Sequence, residues 1–173
     1  HALSLPLVRA DYDHALDTWQ WLLRLTPDAS LALQLAALLH DVERLRSEPE
    51  RRVEQHAGDY QQFKDQHAAR GAELAAALLR EARLSDVVVR ETSRLIAAHE
   101  RRSDDRELAL LNDADALSFC SLNSAGFADY YGPEHTQKKI AYSWNRLSAR
   151  ARGHLAHVRL RPDVRAMIGR ALA

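Results

Sequence analysis

The chain has 173 residues, 46% of them hydrophobic and 28% charged, with a formal net charge of zero. That is enough chain for one domain with its own core, and the composition suits a soluble globular protein. Equal numbers of basic and acidic residues exclude the broad basic footprint of a nucleic-acid or membrane-surface binder, so neither partner is expected.

The first periodic segment carries Leu16, Trp19, Leu22 and Leu23 and reads as a helix with Asp11 as its N-cap. Pro27 and Asp28 break it and cap the next helix, predicted to run to about Arg46. In that segment, "LALQLAALLHDVERL", Leu31, Leu35, Leu38, Val42 and Leu45 repeat at helical spacing, and the other faces are apolar as well. Such a helix belongs in the middle of a domain, yet it carries the titratable pair His40–Asp41, which costs several kcal/mol (roughly) to desolvate unless something binds it. "RSEPERR" reads as a loop, and a long helical pattern follows from about Glu54 to Arg83, with a candidate interruption at Gly58. Ser85 or Asp86 starts the next helix, which ends near His99. "RELALLNDADALSFCSLN" is helical again. "YYGPEH" is a turn, and Pro133 suits the first position of a helix predicted to reach about Arg152. "RPDVRAMIGRALA" closes the chain as a short helix.

The pattern is all-α, with no internal repeat, low-complexity run or linker, so residues 1–173 are expected to form one domain. Cys120 is the only cysteine, which rules out an intrachain disulfide and a multi-cysteine zinc site. With no apolar run of membrane-spanning length and no secretory pattern, the expected location is cytoplasmic and no membrane partner is expected. The composition also allows a homodimer.

A lone His–Asp dipeptide means little; roughly one is expected by chance in a chain of this composition. Its company gives it meaning. His14 lies in "DYDHALDTW", His67 in "DQHAARGAELAAALL", His99 in "RLIAAHE" and Asp115 in "LLNDADALSF". Each lies in or beside an apolar helical segment, and side chains from facing helices of a bundle can meet at one metal centre. Imidazole and carboxylate are suitable ligands for first-row metals.

The ordered set His14, His40–Asp41, His67, His99 and Asp115 resembles the HD-domain superfamily of metal-dependent phosphohydrolases over about residues 11 to 120. The resemblance implies a single-domain helical bundle of the HD type, with the helices of residues 133–173 completing the pocket. The two middle histidines imply two divalent cations, of a kind (Mn, Fe, Mg, Ni, Co or Zn) that the pattern leaves open. It further implies that His14, His40 and Asp115 hold the first, His67 and His99 the second, and that Asp41 bridges them. Asp113 competes with Asp115 for the final place. The family pattern sets the ligand immediately before "ALS", which favours Asp115, and residues two apart on a helix point about 200° apart, so both cannot serve one site.

The activity implied is hydrolysis of a phosphoester of a small metabolite or nucleotide. Two cations roughly 3.5–4 Å apart clamp the phosphoryl group and lower the pKa of the attacking water. Lys64, one helical turn before His67, is the first candidate for binding substrate or aiding catalysis, and Lys138 the second for binding. Glu43, three residues after His40, is a candidate general base or support for the ligands. Arg70, Lys139, Arg146 and Arg150 are further cations of the same kind. Two alternatives share the ligand set: a mixed-valent di-iron oxygenase, as in inositol oxygenase and its phosphonate-cleaving relatives, and a non-catalytic ligand-binding module. "HDVERL" lacks the "HDxxED" extension of alarmone hydrolases, and the chain lacks the "GYP" element of cyclic-dinucleotide phosphodiesterases.

Overall fold

Short polar side chains set the helix boundaries. Ser30, Asp59, Ser85, Asp105 and Ser148 each turn a side-chain oxygen onto backbone N–H groups of the helix that follows, supplying donors that a helix N-terminus leaves unpaired. The computed structural model describes residues 6–45 and 59–172. Among them lie helices α1 (Pro6–Leu25), α2 (Leu31–Leu39), α3 (Tyr60–Glu81), α4 (Asp86–Ala98), α5 (Arg106–Ser118), α6 (Ser124–Tyr131), α7 (Pro133–Arg146), α8 (Ala149–Leu155) and α9 (Pro162–Leu172), with no strand. A 3-10 turn, Val42–Leu45, follows α2, and a π-helical turn, Phe119–Asn123, joins α5 to α6. The expected all-α class therefore stands, and none of these helices is long and apolar enough to cross a membrane.

Three helices differ in their boundaries from those expected, and the expected start of a fourth, near Glu54, lies outside the described residues. The first helix begins at Pro6, so Asp11 lies inside it rather than capping it; proline's missing N–H costs nothing in the first turn. The helix after Pro27–Asp28 is capped by Ser30 and stops at Leu39 instead of Arg46. There the His40 Nδ1–H donates to the Ala37 carbonyl at 2.9 Å, and the chain turns at Asp41. The described part of the third helix starts at Tyr60; "RSEPERR" and the candidate interruption at Gly58 lie outside the described residues. Finally, α7 ends at Arg146, because Leu147 is extended and Ser148 opens α8. The turn into α7 needs glycine: Gly132 has φ +81°, and Pro133 begins the helix.

The face that α2 buries also differs from the leucine stripe. Leu31 is 52% exposed, whereas Ala32, Leu33, Ala36 and Ala37 are buried. Since α2 is apolar all round, periodicity could not choose a face. The small face lets α2 lie close to α1 and α4, and Thr92 of α4 donates to the Ala32 carbonyl.

α3 packs along α4, α1 along α5, and α2 lies between α1 and α4, touching α5. Leu22, Leu33, Leu95, Ile96, Leu111, Leu117 and Ile140 fill the common core. Burial of such side chains contributes about 1.5–3 kcal/mol each. α7 rests on α5 and carries α9.

One close approach aims the His–Asp turn. A Cβ placed on Gly71 of α3 would lie 3.3 Å from the His40 carbonyl oxygen and 3.6 Å from Ile96 Cγ2. Glycine lets α3 pass here without pressing on the turn, whereas even a methyl group would make a tight contact with the His40 carbonyl. Gly71→Val should therefore destabilise the fold by about 1–3 kcal/mol through overpacking and push His40 out of place. Thermal unfolding together with metal content checks this; wild-type values for both would rule it out.

Candidate metal centre

Five elements converge on one buried cluster: His14 from α1, His40 and Asp41 from the turn after α2, His67 from α3, His99 at the end of α4 and Asp115 from α5. All four histidines are at most 5% exposed. Their rings meet edge to face in a row, His14–His40 and His40–His99 with centroids 5.3 Å apart and His99–His67 at 6.2 Å.

Each ring is fixed through Nδ1. The His14 Nδ1–H donates to Ser118 Oγ at 2.9 Å, because that hydroxyl gives its own proton to the His14 carbonyl. The His40 and His99 Nδ1–H groups donate to the carbonyls of Ala37 and Ile96, the latter at 2.6 Å. The His67 Nδ1–H donates to Glu43 Oε2 at 2.8 Å. All four tautomers are thus set so that Nε2 faces inward, the arrangement that a metal-binding imidazole requires.

Two ligand groups result. The ligand atoms of His14, His40 and Asp41 lie within 4.8 Å of one another, as do those of Asp41, His67 and His99, so Asp41 belongs to both. Asp115 Oδ1 lies 3.2 Å from His14 Nε2 and 3.7 Å from His40 Nε2. His40 Nε2 is the most telling atom. It is fully buried and has no hydrogen-bond partner among the described residues. Its nearest carboxylate oxygens, on Asp115 and Asp41, lie 3.7 and 3.8 Å away, too far for hydrogen bonds. A buried acceptor without a donor costs about 1–3 kcal/mol, and a cation placed between these atoms would remove that cost. The residues present therefore fit a divalent ion.

Electrostatics prepare the carboxylates. Burial opposes charge on Asp41, but Arg44, His40 and His67 hold its pKa well below the usual carboxylate range. Burial likewise opposes charge on Asp115, and His14, Arg146 and His40 outweigh it. For His67, burial works against the cation, yet the hydrogen bonds to Asp41 and Glu43 raise its pKa to about 9. Its Nε2 lies 2.8 Å from Asp41 Oδ1, so a metal binding there would replace that proton.

The family model described as "Domain of unknown function (DUF4202)" matches residues 4–168. The chain belongs to the DUF4202 family. No curated protein and no solved structure matches it. The site of this DUF4202 chain is thus read from its own residues.

Several residues beyond the expected ligands take part. Lys64 does reach the site, but as a buried partner of the Glu100 carboxylate and the Tyr142 hydroxyl. Glu43 orients His67 and pairs with Arg70. Lys138 is not brought to the cluster: it is exposed, whereas Lys139, one residue on, lies over the rings of Phe119 and Tyr142. Asp113 is no solvated carboxylate. It is buried and accepts from the Ser148 N–H at 2.7 Å and the Ser148 hydroxyl at 2.6 Å, which fixes the start of α8.

Glu100, Tyr142, Ser118 and Arg44 were not among the sequence candidates, and Arg146, expected only as a further substrate-binding cation, instead holds Asp115. Arg146 of α7 donates to the His99 carbonyl and Asn112 Oδ1, both at 2.7 Å, and to Asp115 Oδ2 at 3.3 Å. Holding Oδ2, it leaves Oδ1 for His14 and His40. Arg44 lies 3.2 Å from Asp41 Oδ2. A partial signal existed: Glu100 is next to His99 and Ser118 lies in "ALS". Nothing local marks Tyr142 or Arg146, because only tertiary packing brings α7 to the site.

Proposed function

We propose that this chain is a metal-dependent phosphohydrolase of the HD type, acting on a phosphoester of a small metabolite or nucleotide. The observation that carries the proposal is the pair of ligand groups sharing Asp41, with four imidazoles whose Nε2 atoms face one another. His14, His40, Asp41 and Asp115 would hold one divalent ion and Asp41, His67 and His99 a second. Bound there, the ions supply Lewis acidity and a water of lowered pKa.

Charge supports an anionic substrate. Four largely buried carboxylates, Asp41, Glu43, Glu100 and Asp115, face three largely buried cations, Arg44, Lys64 and Arg146. Two divalent ions added to these four carboxylates and three cations, with His67 giving up its proton, leave the site with surplus positive charge, which favours a phosphoryl group over a neutral polyol. Ser118 and Glu43 keep His14 and His67 oriented, and Arg146 keeps Asp115 in place.

Elemental analysis of the protein as isolated, followed by assay of the metal-loaded form on a panel of phosphoesters and nucleotides, tests this. Two ions per chain and metal-dependent phosphate or pyrophosphate release are expected. Full occupancy without release counts against hydrolysis, and a mixed-valent di-iron resonance would replace it with the oxygenase reading.

A further inference from the structure

The turns that follow α2 and α4 are built alike. Each helix ends one residue before a histidine, His40 or His99, whose own backbone is still helical. Each ring gives its Nδ1–H to the carbonyl three residues back, on Ala37 at 2.9 Å and on Ile96 at 2.6 Å. Each histidine is followed by an acid. Asp41 Oδ2 lies 3.8 Å from His40 Nε2, and Glu100 Oε1 lies 3.8 Å from His99 Nε2. Asp41 belongs to both ligand groups. Glu100 stands in the matching place beside the second.

Arg146 extends the parallel. Its Nη1 lies 3.3 Å from Asp115 Oδ2 and 3.7 Å from Glu100 Oε2, and both carboxylates are largely buried. Lys64 Nζ meets the same Glu100 oxygen at 2.5 Å. Cations thus hold the outer oxygen of each carboxylate, and the other oxygen faces an imidazole. Asp115 Oδ1 is 3.7 Å from His40 Nε2, as Glu100 Oε1 is 3.8 Å from His99 Nε2. Such separations are too long for hydrogen bonds. They fall within the roughly 4.2 Å that two ligands, each about 2.1 Å from one ion, can span. The ion pair with Lys64 accounts for Oε2 of Glu100, not for the direction of Oε1. Nor is Glu100 needed to orient His99, because Ile96 already fixes that ring.

We propose that Glu100 is a ligand of the second ion, completing a set of His67, His99, Asp41 and Glu100. That set mirrors His14, His40, Asp41 and Asp115 at the first ion: two imidazoles and two carboxylates each, with Asp41 shared. Four nitrogen and oxygen ligands make a full set for an ion such as zinc. Lys64 and Arg146 then act as the groups that aim the carboxylate, much as Arg146 aims Asp115.

The assignment rests on the two-ion part of the proposed function, and its test is read in metal binding rather than turnover. The metal-free full chain is titrated with Zn²⁺ in competition with a chelator of known affinity. Wild type should take up two ions. Glu100→Gln should keep the first and hold the second about 100-fold more weakly, the upper end of the loss found even for groups that only orient a ligand. Lys64→Gln removes the ion pair but keeps the carboxylate, so it should hold both ions as tightly as wild type. Melting curves of the metal-free variants verify folding. A crystal structure of the zinc-loaded wild type, which needs no variant, should place Glu100 Oε1 about 2.0–2.2 Å from the second ion. Unchanged affinity in Glu100→Gln, an equal loss in Lys64→Gln, or an oxygen well outside that distance overturns the assignment alone. A wild type that takes up only one ion ends the second group, and the place of Glu100 with it. Two ions without phosphoester hydrolysis would end the hydrolase reading, and the titration would still decide Glu100.

Discussion

Replacing Asp41 with alanine should strip both cations from the protein and lower phosphoester hydrolysis by about 10⁴-fold or more, the scale seen when one member of an interdependent catalytic group is removed. Asp41 is the one residue common to the two ligand groups. Its Oδ1 lies 2.8 Å from His67 Nε2, and its Oδ2 lies 3.8 Å from His40 Nε2 and 3.2 Å from Arg44. Removing the carboxylate deletes a ligand from each group and leaves the Arg44 cation facing the histidines with that partner gone, which opposes metal entry a second time. His67→Ala is the control: it should lose mainly the second ion, because His14, His40 and Asp115 are untouched. Elemental analysis of both variants, with a melting curve of the metal-free forms to verify folding, separates the outcomes. An Asp41→Ala protein that keeps two ions per chain would end the bridging assignment.

What the sequence revealed of this site follows from how local its signals are. Ser85, Pro133 and the segment around Asp115 act through neighbours in the chain, so the starts of α4 and α7 and the helical course of α5 were legible. The end of α2 was not. It depends on a ring hydrogen bond from His40 and on the close pass of Gly71, and neither leaves a mark in hydrophobic periodicity. The six candidate ligand positions could be picked out because, in order and in local context, they resemble the HD-domain pattern. Their supports were hidden for the opposite reason. Arg146 and Tyr142 lie on a helix whose charged residues resemble any solvated face, and only the packing of α7 on α5 turns Arg146 inward. Lys138 and Lys139 show the limit most plainly. They are adjacent and chemically identical, and a one-residue difference in helical phase decides which faces the aromatic rings.

Asp113 and Asp115 should give opposite results when each is replaced. Two residues apart on α5, they project to different sides, as the helical angle requires. Asp113 receives two hydrogen bonds from Ser148 and thereby fixes the break between α7 and α8. Asp113→Ala removes two charge-assisted bonds between a buried carboxylate and Ser148, a loss of about 2–4 kcal/mol. For a chain of this length that corresponds to a melting temperature lower by about 5–15 °C, with metal content unchanged. Asp115→Asn keeps the shape of the side chain but removes the charge that faces His14 and His40 at 3.2 and 3.7 Å. It should empty the first ligand group, abolish hydrolysis and leave the Ser148 cap intact. Differential scanning calorimetry of the metal-free variants and elemental analysis of the loaded ones read the two effects independently. If Asp113→Ala lost metal while Asp115→Asn kept it, the final ligand would be Asp113, and the orientation of α5 derived from Arg146 and Ser148 would have to be wrong.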